Sequence, residues 1–228
     1  MPEPEIDLDA VARDVIEAGK EILARGFVTG TSGNVSGRIG PEEFLVKPSG
    51  IPYDQITPAD LVRMDIQGRQ TGGTCRPSVE WPLHRAVYAA RPDVNAVIHT
   101  HAVYSTAVAT ARVKIPLVND SLMLAVRGEV EVAEYAPSGS QEVADNLVRA
   151  LGDRNAVLWP NHGAVVVGRD MGSALHLADL LERVSLTFIL ASLLGKPVPV
   201  SPEVLARQLR FIDESYGQRN ERSRGARE

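Results

Sequence analysis

A chain of 228 residues is large for one ordinary domain and still within reach of a single α/β unit. With 44% hydrophobic and 23% charged residues it has the material for a substantial core, which excludes a disordered or fibrous polypeptide. A net charge of −5 excludes broad electrostatic attraction to nucleic acid or anionic lipid, so an anionic substrate has to be held by a local site.

The N-terminus, MPEPEIDLDA, is acidic and lacks the basic region and apolar core of a secretory signal. Residues 7–25 place Leu8, Val11, Val15 and Ile22 at three- and four-residue spacing behind Asp7, a candidate N-cap, and read as an amphipathic helix. GFVTGTSGNVSGRIG (26–40) is rich in glycine and hydroxyls, with a short strand at 34–39. EEFLVKPSGIPY (42–53) gives a strand at 44–47 stopped by Pro48 and Gly50, and LVRMDIQGR (61–69) another strand and turn. Cys75 is the only cysteine, which rules out an intrachain disulfide and suits a reducing cytoplasm.

SVEWPLHRAVYAARPD (78–93) predicts a helix with Pro82 in its first turn, closed by Arg91-Pro92-Asp93. A buried strand (95–101) and a helix (102–112) follow, then a helix at 139–151 with Ser140 near its start. Strands at 155–160 and 164–168 flank the tripeptide NHG. The helix at 173–195 has few polar positions and should pack on two sides. The longest apolar stretches are broken by charges before the roughly 20 residues a membrane helix needs. A last helix covers about 202–215, and residues 217–228 read as a flexible solvated tail whose two glutamates argue against a basic binding arm. No linker or repeat divides residues 1–216, so one α/β domain with a mixed sheet covered by helices is the simplest architecture for a soluble, cytoplasmic protein.

The chemistry-bearing residues begin with His99 and His101. In an extended segment, side chains two apart share a face and can converge on one ion, although two unconnected surface histidines would look the same. His162, in the turn of LWPNHGAVVVG, completes a set of three; three protein ligands and an open position are the pattern of a catalytic zinc site. Glu80 is a fourth candidate, near a helix start where the dipole favours a carboxylate and where an ordinary capping acid would also sit.

Taken in order, GTSGNVS, KPSGIPY, PSVEWPLHRAVY, RPDVNAVIHTHAV and NHGAVVVG resemble the class II aldolase/adducin family over nearly the whole chain. The resemblance implies a three-layer αβα fold around a mixed, largely antiparallel sheet of nine or so strands. It also implies a cyclic homotetramer with sites between subunits. It implies that His99, His101 and His162 bind one Zn²⁺ per chain, ahead of Mn²⁺ or Co²⁺, and that Glu80 serves as ligand at rest and as base in turnover. A phosphate seat falls on Thr31, Gly33, Asn34, Ser49, Gly50 and Ser78. The chain departs from the family where Val79 replaces a second serine beside Ser78, a loss that Lys47 or Arg76 would offset. Asp120 stands where some aldolases carry a catalytic tyrosine, and Tyr216 matches a C-terminal tyrosine that reaches a neighbouring subunit's site.

The residues and the resemblance agree on an enzyme that makes an enediolate from a ketose phosphate. A divalent ion acts as Lewis acid and a carboxylate beside it moves the proton next to the carbonyl. The function expected is a zinc-dependent aldehyde-lyase cleaving a small ketose phosphate by retro-aldol reaction. A 4-epimerase or a decarboxylase/dehydratase would use the same intermediate. A non-catalytic adducin-like interaction module would lack the histidines that are present here.

Overall fold

The computed structural model describes residues 6–215. Its elements in chain order are α1 (Leu8–Ala24), β1 (Asn34–Gly40), β2 (Glu43–Val46), β3 (Val62–Asp65), β4 (Gln70–Gly72), α2 (Trp81–Ala90), β5 (Ala96–Thr100) and α3 (Val103–Thr110). There follow α4 (Asp120–Val126), β6 (Glu131–Val132), α5 (Gln141–Leu151), β7 (Ala156–Trp159), β8 (Gly163–Gly168), α6 (Met171–Leu194) and α7 (Pro202–Ser215). The expected caps form: the Asp7 side chain accepts from Ala10 N at 3.0 Å and Ser140 Oγ from Val143 N at 3.2 Å. Tyr216 and the tail at 217–228 lie outside the described residues.

The strands make one eight-stranded sheet in the order β4-β3-β2-β1-β5-β8-β7-β6, one strand short of the nine or so that the family resemblance implies. Neighbours pair antiparallel except β6 and β7, which run parallel. The strand alternation divides the core into two layers of packing. Val35, Leu45, Ile98, Leu158 and Val166 face α1, α3, α4 and α6, while Phe44, Val46, Val97, Val157, Val165 and Val167 face α2 and α5. Helices therefore cover both faces of a mixed sheet, giving the three-layer αβα architecture expected. No helix among the described residues is long and apolar enough to cross a membrane.

Three elements go beyond the sequence reading, one of them the three-residue strand β4, which pairs only with β3. Helix α4 has seven residues, too few to display a 3.6-residue period, and it starts because the Asn119 side chain accepts from Leu122 N at 2.9 Å. Strand β6 has two residues and exists only through its pairing with β7.

In the central sheet β1 and β5 place Asn34 opposite His99. The segment after β5 is held from the other layer by Glu182 of α6, a buried carboxylate that accepts from Tyr104 N at 2.7 Å and Ser105 N at 2.9 Å. It satisfies two orphan amides of α3, the helix that starts just past His101. Replacing Glu182 with alanine leaves both without a partner; we expect a loss of about 2–3 kcal/mol, read as a lower urea midpoint at unchanged m-value.

Candidate metal centre and phosphate cradle

Each of the three histidines is aimed by backbone geometry. His99 lies near the end of β5, fully buried, and its Nδ1–H donates to the Ala164 carbonyl of β8 at 2.9 Å, which leaves Nε2 as the bare nitrogen. The other ring nitrogen of a metal-ligating histidine is commonly anchored in this way. His101, just beyond the strand, brings its Nε2 to 2.9 Å from that of His99. His162 enters from the β7–β8 turn, where Asn161 has φ 58° and Gly163 lies against the Thr100 carbonyl too closely for any Cβ. Trp159 forms the floor, its ring 3.9 Å from that of His162 and 5.0 Å from that of His99.

This donor set fits a cation. The ligand atoms of His99, His101 and His162 all lie within 4.8 Å of one another. Tetrahedral zinc with bonds of about 2.0–2.1 Å would space its nitrogens by about 3.3 Å. The 2.9 Å between the Nε2 atoms of His99 and His101 suits one shared cation, or a single N–H that His101 donates to His99. His162 Nε2 is buried and makes no hydrogen bond, although Glu80 Oε1 is 3.0 Å away. Burial pushes His99 below its ordinary value and His101 down to about 4, so both are neutral near pH 7, the form that binds metal.

Glu80 occupies the N-cap position of α2, with φ −98° and ψ 13°, yet its side chain caps nothing. It turns inward instead. Oε2 accepts from Asn34 Nδ2 at 2.6 Å and lies 3.4 Å from His99 Nε2, while Oε1 accepts from Ser138 Oγ at 3.0 Å. Burial by itself would raise this carboxyl; His99, His162 and the Asn34 hydrogen bond outweigh it and hold the group well below the usual carboxylate range. An ionised acid is thus kept 7% exposed beside the imidazoles, an arrangement suited to moving a proton.

The residues of the expected phosphate seat meet next to this cluster. Ser78 N donates to the Lys47 carbonyl at 3.0 Å and Ser49 N to the Arg76 carbonyl at 2.9 Å, joining two of the loops. Lys47 Nζ donates to the Thr31 carbonyl at 2.7 Å and joins the third. Gly33, at φ +68°, passes so near β5 that a Cβ would lie 2.8 Å from the His99 carbonyl. Gly33, Asn34, Lys47 and Ser78 are buried as a floor, and Thr31, Ser49 and Gly50 are exposed as a rim. Lys47 also lies 4.4 Å from the Tyr53 ring centre, and burial pulls its pKa down to about 8 against the charge of Glu80.

Asp120 does not join this cluster. It is exposed at the first position of α4 and shares no hydrogen bond or ion pair with Glu80 or the three histidines. Two neighbours that the sequence reading does not single out are Ser138 and Trp159. The first sits in a Pro-Ser-Gly turn, with no pattern to separate it from other loop serines; the second reads as an ordinary strand residue.

A sheet of this order, with three imidazoles and a carboxylate at one end and a polar glycine-rich cradle beside them, defines a distinct class of fold and site. Residues 13–189 match the model of the Class II Aldolase and Adducin N-terminal domain, and the chain belongs to that family. It is 35% identical over 217 residues to the L-fuculose phosphate aldolase of Escherichia coli strain K12, covering 95% of this chain and 100% of that protein. It is 36% identical over 193 residues to a 5-methylthioribulose-1-phosphate/5-deoxyribulose-1-phosphate aldolase of Escherichia coli O45:K1, covering 85% and 90%. A solved L-fuculose 1-phosphate aldolase superposes with a TM-score of 0.87 at 30% identity, covering 92% of this chain and 99% of that one.

Metal analysis checks the histidine cluster. Protein prepared with zinc should hold about one ion per chain, and His162→Ala should remove it while the far-ultraviolet circular dichroism is unchanged. Full occupancy in that variant would remove His162 from the ligand set.

Proposed function

We propose that the protein is a zinc-dependent class II aldolase that cleaves a ketose 1-phosphate to dihydroxyacetone phosphate and an aldehyde. The observation that carries this reading is the Glu80 carboxylate, which forgoes capping α2 and lies 3.0 and 3.4 Å from the Nε2 atoms of His162 and His99. The similarity to an aldolase named for 5-methylthioribulose 1-phosphate and 5-deoxyribulose 1-phosphate and to one named for L-fuculose 1-phosphate supports the substrate class.

His99, His101 and His162 would hold the metal, with Glu80 as a fourth ligand at rest. When bound, a divalent cation supplies Lewis-acid stabilisation of the negative charge that develops on the ketose oxygens. Lys47, Ser78 and the rim at Thr31, Ser49 and Gly50 would bind the phosphate and fix the carbon chain with C3 toward Glu80. Cleavage of the C3–C4 bond would pass its electron pair toward the C2 carbonyl, giving an enediolate, as the C4 hydroxyl gives its proton to the Glu80 carboxylate and becomes the aldehyde. Glu80 would then return that proton to C3, completing dihydroxyacetone phosphate and restoring its own carboxylate; in the synthetic direction it removes the C3 proton. Asp120 and Tyr216 would be further catalytic groups on the family resemblance alone. A homotetramer with sites between subunits belongs to the same reading, and the exposed Leu190, Leu193 and Leu194 of α6 offer apolar surface for contact between copies.

Two experiments test it. Zinc-loaded protein should cleave one of a panel of ketose 1-phosphates, with the aldehyde identified by NMR, and should exchange solvent deuterium into dihydroxyacetone phosphate. Glu80→Gln should keep its zinc and lose both activities by at least about 100-fold, the low end of general-base contributions. Wild-type exchange in that variant would sink the base assignment.

The second concerns Lys47. Its ammonium is present below about pH 8 and lost above it, so the KM for the phosphorylated substrate should rise as the pH passes 8. In Lys47→Met the KM should be higher by about tenfold or more at pH 7 and should no longer climb through that range, as fits loss of a charged hydrogen bond.

A further inference from the structure

Between β1 and α2 runs a row of polar side chains where apolar ones would pack without difficulty. Asn34 and Ser36 come from one face of β1 and His84 and Tyr88 from one turn of α2, each no more than 2% exposed. They are joined end to end. Ser36 Oγ is 2.8 Å from Tyr88 Oη and 2.6 Å from His84 Nδ1; His84 Nε2 bonds Asn34 Oδ1, and Asn34 Nδ2 reaches Glu80 Oε2 at 2.6 Å. Buried polar groups of this kind are costly unless every member is satisfied, so the row needs a reason.

The direction of every bond follows from its last member. An ionised carboxylate only accepts, so the Asn34 atom facing Glu80 is the amide nitrogen. Asn34 Oδ1 therefore faces His84 and must accept from Nε2–H. Burial pushes the His84 pKa down to about 3, so the ring is neutral and carries one proton. With that proton on Nε2, Nδ1 is a bare acceptor: Ser36 Oγ donates to it and accepts a hydrogen bond from the Tyr88 hydroxyl. The opposite tautomer would favour a flipped Asn34, with its oxygen set against the Glu80 carboxylate.

We propose that His84 is a positioning residue: as the Nε2–H tautomer it locks the Asn34 amide so that its NH₂ holds Glu80 Oε2. His84 bonds none of the metal ligands and meets the cradle through Asn34. It acts on turnover through Asn34, and this rests on the reading of Glu80 as the base. One Asn34 amide hydrogen is left over for a phosphate.

The amide of glutamine can replace the Nε2 donor of an imidazole, whereas the shorter amide of asparagine reaches only the Nδ1 position. His84→Asn and His84→Gln therefore separate the bond to Asn34 from the mere presence of a polar group. In His84→Asn we expect kcat to fall about tenfold or more with zinc content near wild type, and His84→Gln to recover most of that loss. Nitrogen-15 NMR of the wild-type imidazoles, with or without metal, should show His84 as a neutral Nε2–H ring. A His84 found as the Nδ1–H tautomer, or equal kcat in the two variants, would overturn the proposal. The NMR readout needs no turnover, so it stands if no ketose phosphate is cleaved; failure of the aldolase reading would show instead as zinc-loaded wild-type protein that neither cleaves a ketose 1-phosphate nor exchanges deuterium into dihydroxyacetone phosphate.

Discussion

The arrangement depends on keeping a charged carboxylate out of water. An ionised acid with 7% exposure is tolerated only if its oxygens are hydrogen-bonded and a compensating charge is close. Glu80 has Asn34 on one oxygen and Ser138 on the other, and the histidine cluster in front could hold the cation that compensates its charge. Its placement at the start of α2, where a free side chain would ordinarily turn back to cap the helix, shows how strongly these partners compete for it. Removing any partner leaves a buried charge underserved, so the site and the local stability are tied to the same atoms.

Those partners come from segments far apart in the chain, and the sheet brings them together. The β1–β5 pair sets Asn34 opposite His99, and the β5–β8 pair offers the Ala164 carbonyl that fixes the His99 ring. Gly33 and Gly163 let the cradle loop and the His162 turn press against the carbonyls at the end of β5. The histidine cluster and the glycine-rich cradle are thus two sides of one strand end, which sets their separation.

Much of this was legible in the residues. Strong periodicity and clear stop signals placed α1, α2, α5 and α6 within a few residues, and the strands carrying His99 and flanking His162 stood out as apolar runs. His-x-His with a distant turn histidine named a ligand set that the fold assembles. What stayed hidden has physical reasons. The two-residue β6 and seven-residue α4 are shorter than the patterns that reveal strands and helices. Ser138 becomes part of the site through a contact spanning 58 positions in sequence, and no local composition records that. His84 and Ser36 look like core residues with the wrong polarity until their partners are visible. Asp120 has a position in the family's pattern, but its surroundings are solvent.

The two pinned glycines also divide the chain by its freedom to change. Where backbone meets backbone at Gly33 and Gly163 there is no room for a side chain, so the metal turn and the cradle cannot drift to suit a new compound. The loop of residues 133–139 reaches the Glu80 carboxylate through the Ser138 hydroxyl, and a Cβ at its Gly139 would meet nothing within 4 Å. Sequence change at the exposed positions of this loop, with Ser138 kept, can therefore alter the surroundings of the carboxylate without moving the three histidines or the cradle.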